Sequence, residues 1–266
     1  MGFTAAAIFI FVCGLCVGSF LNVVIYRLPN GLPVHKGFSM CPDCEHRLLA
    51  PDLVPLLSWI FLRGRCRYCG GRISPRYLVV ELLTGLLWLA VWLRQAGSDP
   101  ELWALGAPPA AFMTVGAHCL IVSALVAVIF IDARHMIIPN ALVLVVAAAG
   151  ILLCFTPAPP DLLERVIGFF AVSGPLLLLA VFSGGRAMGM GDIKLMAAAG
   201  LCLGWPAAVT AFMIGALLGS AVSVAAAARA GRKLGGRIPF GPYLAGGIII
   251  CLFYGRELVA LYLSLF

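Results

Sequence analysis

The chain has 266 residues, of which 62% are hydrophobic and only 11% are charged. Soluble globular domains are about 45–50% apolar and about 25% charged, so this composition excludes an ordinary soluble domain and indicates that lipid surrounds most of the chain. The net charge of +7 could suggest a nucleic-acid partner. Membrane topology explains the basic residues better, so no nucleic-acid partner is expected.

The apolar residues form long continuous runs. Crossing a bilayer takes about 20 apolar residues per helix, and backbone groups in hydrocarbon must find their hydrogen bonds within the segment. The runs do not alternate between apolar and polar residues, which excludes a β-barrel. The sequence therefore predicts an all-α polytopic membrane protein with about eight transmembrane helices, at residues 5–26, 78–93, 111–131, 141–155, 166–183, 193–206, 208–228 and 240–255.

Basic residues are concentrated between the first two predicted helices, which indicates a cytoplasmic location because Lys and Arg accumulate on that side of short loops. Alternating sides from there also places Arg134, Arg186, Lys194 and the basic residues of segment 229–237 in the cytoplasm. We expect three parts: a first transmembrane helix at 1–26, a small cytoplasmic domain at 27–77 and a transmembrane bundle at 78–266.

The predicted cytoplasmic domain contains two pairs of cysteines, each pair separated by two residues, at Cys41 and Cys44 and at Cys66 and Cys69. This spacing lets both thiolates of a pair reach one tetrahedral ion, and the second pair completes a four-sulfur zinc site. Thiols stay reduced in the cytoplasm, so disulfides are the weaker interpretation. A domain of this size buries little core, and we expect a structural zinc ion to stabilise it.

Two acidic residues lie at the predicted cytoplasmic ends of helices, Asp132 after the run 128–131 and Asp192 before the run 193–206. Ionisable groups at membrane depth are costly and therefore suggest function. Two carboxyls that share one proton can hydrolyse a peptide bond without a metal or a nucleophilic side chain. Alternatively, each acid could simply pair with Arg134, His135 or Lys194 at a helix end, and spacing alone does not decide between the two interpretations.

Several longer stretches resemble the type IV prepilin peptidase family, whose members are integral membrane aspartyl peptidases that also N-methylate the new amino terminus of their substrate. The similarity covers nearly the whole chain. Besides the two cysteine pairs, the matching stretches are GSFLNVVIYRLP at 18–29, PLLSW at 55–59, RGRCRYCGGRISPRY at 63–77, VELLTG at 80–85, IDARHMIIPN at 131–140, GMGDIKLMAAAG at 189–200 and IPFGPYL at 238–244.

The resemblance implies that Asp132 and Asp192 are the peptidase acids and that the four cysteines bind zinc. It also implies S-adenosylmethionine as methyl donor. Glu81, the acid embedded in the second helix, is our candidate for a residue of the methylation site or, alternatively, for a helix contact. The expected substrates are type IV prepilins and secretion-system pseudopilins. They would be cut at the cytoplasmic side of the bacterial inner membrane.

Two alternative functions stay open at this point. A proton- or cation-coupled transporter could also carry two buried acids, although no inverted repeat is visible. A zinc-stabilised membrane scaffold without catalysis is the other alternative, and it would be favoured if Asp132 and Asp192 were far apart.

Overall fold

A computed structural model describes residues 3–97, 103, 107–156, 160–186, 188–230 and 238–265. These residues are almost entirely helical and contain no β-strand; two isolated antiparallel bridges, Met40 to Arg47 and Arg65 to Arg72, are the only β pairing within them. The chain divides into two compact units, residues 1–107 and 108–266. The three-part division expected from the sequence stays a prediction.

Among its described residues, the first unit contains three α-helices and the loops between them. Helix α1 spans Phe3–Arg27, the short α2 spans Leu57–Phe61, and α3 spans Arg76–Ala96, while Ala50–Asp52 forms a single 3-10 turn. Helices α1 and α3 pack against each other. Their closest approach depends on Gly18, where an added Cβ would lie 2.7 Å from Cα of Glu81. Small residues at such crossings let apolar helices approach backbone to backbone.

The second unit is a bundle of seven α-helices in the described residues. They are α4 (Pro109–His135), α5 (Asn140–Leu153), α6 (Leu162–Ala171), α7 (Ser173–Phe182), α8 (Met190–Leu203), α9 (Trp205–Ala230) and α10 (Gly241–Leu263). Helices α5, α6 and α7 pack against α8, and α4 packs against both α5 and α10. The middle of α4 and most of α8 are buried, so these two helices form the core of this unit.

Local sequence explains where several of these helices end. Pro175 has no N–H and would clash with the carbonyl of residue 171, and the break between α6 and α7 falls at Val172. Gly204, with φ +75°, separates α8 from α9. The sequence Gly204-Trp205-Pro206 contains the turn-forming residues glycine and proline, and the boundary between α8 and α9 falls there.

Six helices or helix pairs in the described residues are long and apolar enough to cross a membrane: Phe3–Arg27, Arg76–Ala96, Pro109–His135, Leu162–Phe182, Trp205–Arg229 and Gly241–Leu263. The two other predicted spans correspond to α5 and α8, which have only 14 residues each. The all-helical membrane architecture is therefore confirmed, and the count of eight spans is not. The basic residues Arg232, Lys233 and Arg237 lie outside the described residues.

The position of α8 is fixed by a buried arginine. Arg165 on α6 is only 2% exposed, and its guanidinium donates to the carbonyls of Leu201 at 2.8 Å and Cys202 at 3.1 Å. Those carbonyls belong to the last turn of α8, where the helix leaves acceptors without intrahelical partners and where a cation is favoured. Arg165 therefore holds the end of α8 opposite to the end that carries Asp192.

Candidate active site and cysteine cluster

Asp132 lies in the last turn of α4 and is only 5% exposed. The helix ends at His135, and Met136 adopts a left-handed conformation with φ 54° and ψ 39°. The N–H of Met136 donates to the carbonyl of Asp132 at 2.9 Å, which closes the helix end. The chain then turns through residues 136–139 and enters α5. Asp132 therefore lies in the last turn of α4, just before the chain changes direction.

Asp192 lies in the first turn of α8, two residues after the helix begins at Met190. The glycines around it leave little free space. An added Cβ at Gly189 would lie 2.8 Å from Oδ2 of Asp192, and one at Gly191 would lie 3.0 Å from Cβ of Ile138. Gly191 thus lets the start of α8 pack directly against the segment between α4 and α5.

The structure brings the two predicted acids into electrostatic range of each other. The charge of Asp132 acts directly on the carboxyl of Asp192. The last turn of α4 and the first turn of α8 therefore lie at the same end of the second unit. The two acids are not far apart, as the scaffold alternative would require.

Neither acid is neutralised by the basic residues next to it in the sequence. Among the described residues, Asp132 and Asp192 form no ion pair with Arg134, His135 or Lys194. An ion pair is found there between Arg67 and Asp52, in the first unit. Lys194 instead donates from Nζ to Oδ1 of Asn140 at 3.1 Å, which ties the start of α8 to the start of α5. In the described residues, the two acids are therefore not simply paired with basic residues at the helix ends.

Gly241 is a residue of the site that the sequence did not identify as functional. Its backbone N–H donates to Oδ2 of Asp132 at 2.8 Å. Gly241 is the first residue of α10 and stands before Pro242. Gly241 lies within the predicted helix 240–255, and nothing in the sequence linked it to Asp132.

Two carboxyls in this arrangement can share a single proton, since like charges a few ångströms apart cannot both ionise cheaply. One member can then accept a proton from water while the other donates a hydrogen bond to a carbonyl oxygen. The glycines at positions 189 and 191 let the Asp192 carboxyl and Ile138 lie close to the backbone at the start of α8. The site is therefore suited to acid–base hydrolysis.

The four cysteines of the first unit come together as predicted. The sulfur atoms of Cys41, Cys44, Cys66 and Cys69 all lie within 4.8 Å of one another, and those of Cys41 and Cys69 are 3.9 Å apart. Sulfur atoms around a tetrahedral zinc ion, at about 2.3 Å from the metal, are about 3.8 Å from each other. The four cysteines thus form a cluster that could bind a metal ion.

Each cysteine pair lies in a short turn whose two ends form an antiparallel β-bridge. We call these turns the first knuckle (Met40–Arg47) and the second knuckle (Arg65–Arg72). In the first, the N–H of Cys41 donates to the carbonyl of His46 at 3.0 Å; in the second, the N–H of Cys66 donates to Gly71 at 2.8 Å. The residue after each pair, Glu45 or Gly70, has a positive φ. The two knuckles therefore share one backbone design.

Backbone donors in the second knuckle favour the thiolate form of one cysteine. Hydrogen bonds from the backbone N–H groups of Cys69 and Tyr68 are the largest effects that lower the pKa of Cys66, to about 7. Since the thiolate is the form that ligates metals, the knuckle backbone prepares this sulfur for a metal ion.

Glu81 belongs to the first unit, on the face of α3 that packs against α1. It is 8% exposed, and its Oε2 accepts a hydrogen bond from the N–H of Leu56 at 2.8 Å. Leu56 precedes α2 and has φ 60° and ψ −51°, an unfavourable conformation for a residue other than glycine. Glu81 therefore makes a helix contact that stabilises the start of α2, one of the two roles expected for it.

Comparisons with known proteins cover both units of the chain. Residues 12–95 match the model of the bacterial Peptidase A24 N-terminal domain, and residues 119–224 match that of the type IV leader peptidase family. A prepilin leader peptidase/N-methyltransferase from Aeromonas hydrophila is 36% identical over 97% of this chain and 93% of its own length. A protein of the same name from Stutzerimonas stutzeri is 32% identical over 95% and 92% of the two chains.

No solved structure shows a significant match to this chain. The family match and the relatives agree with each other over almost the whole sequence, and the second family match includes both Asp132 and Asp192. This chain is a member of the type IV leader peptidase family.

Proposed function

We propose that this membrane protein cleaves the leader peptide of type IV prepilins with Asp132 and Asp192 as its catalytic pair. The observation that carries the proposal is the position of both carboxyls at one end of the second unit, within range of each other's charge and without an ion pair to a neighbouring cation among the described residues. Relatives named prepilin leader peptidase/N-methyltransferase support the substrate. Secretion-system pseudopilins are a second proposed substrate class.

The cleavage follows from one shared proton. The ionised carboxylate accepts a proton from a water molecule, and the water oxygen forms a bond to the carbonyl carbon of the scissile peptide. The protonated carboxyl donates its proton to the carbonyl oxygen at the same stage. When the carbon–nitrogen bond breaks, the proton held by the first carboxyl passes to the leaving amine, and the carbonyl proton returns to the second carboxyl. The pair is then ready for another turnover.

The second proposed activity is N-methylation of the amine that cleavage exposes, as the names of the relatives indicate. S-adenosylmethionine would supply the methyl group. Its sulfonium carries a positive charge that a carboxylate attracts. The carboxylate of Glu81 is held in one orientation by the hydrogen bond from the N–H of Leu56. We therefore propose Glu81 as a residue of the methylation site.

We further propose that the cysteine cluster holds a structural zinc ion, since four sulfur ligands leave no open position for chemistry. Clustered Arg residues between α1 and α3 support a cytoplasmic location for residues 27–77. Spans α3 and α4 return the chain to that same side at Asp132, and the electrostatic interaction of Asp132 with Asp192 supports that side for both acids. Both points support an active site that faces the cytoplasm from the bacterial inner membrane.

One experiment tests both activities. The purified chain in detergent is incubated with a model prepilin and S-adenosylmethionine, and the mass of the product is measured. We expect a product shortened by the leader and heavier by one methyl group. An uncut substrate, with protein that is folded and loaded with metal, would contradict the proposed peptidase function. A cut but unmethylated product would contradict only the second activity.

A further inference from the structure

A cavity of about 390 Å³ lies beside the second knuckle. Its walls include three arginines, Arg63, Arg65 and Arg72, and no acidic residue lies among the described residues that line it. We call it the arginine cavity. Three guanidinium groups around one space repel each other, so an anion between them would be favourable.

Contacts of Trp59 hold one wall of the arginine cavity in place. The indole of Trp59 lies over Gly64, where an added Cβ would be 2.8 Å from Cζ2 of the ring, and its N–H donates to the carbonyl of Ile73 at 3.3 Å. The N–H of Ile73 in turn donates to the carbonyl of Gly64 at 2.8 Å. These contacts hold the two sides of the second knuckle against α2.

The arginines of the cavity are exposed, and none forms an ion pair with any residue described in the structure. Arg65 and Arg72 stand directly opposite each other in the antiparallel bridge that closes the second knuckle. Like charges in that position destabilise the pairing. An anion bound between them would remove this cost.

The first knuckle shows that the backbone design does not require two facing arginines. There, Met40 stands opposite Arg47, and the guanidinium of Arg47 lies 3.2 Å from the centre of the Phe38 ring. The position that corresponds to Arg65 is thus apolar, and the single arginine has an aromatic partner. The charged pair is a property of the second knuckle alone.

The cavity also lies next to the start of a candidate membrane span. Ser74 and Pro75 line it, and the candidate membrane span α3 begins at the next residue, Arg76. On its other side, α2 exposes Ile60 and Phe61, which are 55% and 79% accessible. Arginines at the start of a span beside exposed apolar side chains are typical of a membrane interface that attracts anionic lipids.

We propose that the arginine cavity binds the phosphate of an anionic phospholipid headgroup. Planar guanidinium groups bind phosphate oxygens through paired hydrogen bonds, which lysines cannot do. A bound lipid would neutralise the facing Arg65 and Arg72, and its acyl chains would extend past the exposed apolar residues of α2. The site would thereby attach the metal-binding knuckles to the membrane surface.

The test uses the full purified chain in neutral detergent, titrated with short-chain phosphatidylglycerol, phosphatidylcholine or inorganic phosphate and followed by native mass spectrometry. The variant is Arg65→Gln with Arg72→Gln. The control is Arg47→Gln, which removes a charge from the matching position of the first knuckle. Metal content per chain is measured in each protein. If the double variant loses its metal, it is replaced by Arg63→Gln, a substitution outside the knuckle.

We expect phosphatidylglycerol to bind more tightly than phosphatidylcholine and the double variant to weaken this binding about tenfold or more. Arg47→Gln should change it less than about twofold. Equal binding by the double variant, or by Arg63→Gln where it replaces that variant, would overturn the proposal. So would an equal loss in Arg47→Gln, which would indicate nonspecific charge attraction. Binding of inorganic phosphate as tight as that of the lipid would identify a free anion as ligand and also overturn it.

Discussion

The backbone N–H of Gly241 donates to Oδ2 of Asp132 at 2.8 Å, although the two residues are 109 positions apart. This bond joins the first residue of α10 to the last turn of α4 and fixes one oxygen of the proposed catalytic pair. It leaves the other oxygen of Asp132 for water or substrate. The position also tolerates no side chain, because an added Cβ at Gly241 would lie 2.7 Å from that same Oδ2.

Replacing Gly241 with alanine should therefore impair cleavage. The new methyl group must push the Asp132 carboxyl out of place, and displacement of a reacting group by about 1 Å can cost about 100-fold in rate. We expect a loss of about tenfold or more in kcat for a model prepilin. Gly246→Ala is the matched control, since it lies on the same helix with nothing within 4 Å of an added Cβ. Equal activity of the two variants would contradict this role of Gly241.

The cysteine cluster predicts a specific metal content. Wild-type protein should contain about one zinc ion per chain, and the double variant Cys66→Ser with Cys69→Ser should contain almost none, because two of four ligands are lost. Cys16→Ser, at an exposed position of α1, is the control and should keep its zinc. Elemental analysis of purified protein measures this directly. Unchanged zinc in the double variant would show that the metal, if present, is bound elsewhere.

Loss of the metal should affect folding and methylation more than the chemistry of cleavage, since a closed four-sulfur site offers no position to substrate. Thermal unfolding in detergent should show a lower midpoint for the first unit in the double cysteine variant. Cleavage by the remaining folded protein should stay measurable. Abolished cleavage in protein that remains folded would indicate a direct part for the metal in hydrolysis.

Glu81 can be tested with a substitution that keeps its hydrogen bond. In Glu81→Gln the amide oxygen can still accept from the N–H of Leu56, so the start of α2 should stay ordered, while the negative charge is lost. We expect cleavage near the wild-type rate and methylation reduced about tenfold or more. Glu81→Leu removes the acceptor as well and should destabilise the protein by about 1–3 kcal/mol. Full methylation by Glu81→Gln would show that Glu81 serves only as a helix contact.

Patterns among residues that are close to each other in the sequence predicted the fold well. Continuous apolar runs gave the all-helical membrane architecture, and the two-residue spacing of the cysteines predicted the four-sulfur cluster. The count of spans was less certain because hydropathy cannot distinguish a helix in lipid from a helix buried in protein. Helix α8 illustrates this: it has only 14 residues, and its side chains are mostly buried against α5, α6 and α7.

Contacts between distant residues could not be predicted from the pattern. Gly241 lies inside the predicted helix 240–255, and only the packing of α10 against α4 shows its bond to Asp132. Arg165 directly precedes the predicted helix 166–183, and nothing in the sequence showed that it is buried and donates to the carbonyls at the end of α8. Such pairings depend on tertiary packing, which one sequence does not reveal.

The most direct test of the central claim is the cleavage rate of a model prepilin by Asp132→Asn, Asp192→Asn and the double variant. Asparagine keeps the size of each side chain but cannot share a proton, so each single variant should lose several orders of magnitude in rate, and the double variant should be no worse. Metal content and methylation of a peptide that already has the mature amino terminus should be unchanged. Near-normal cleavage by well-folded Asp192→Asn would contradict the aspartyl mechanism.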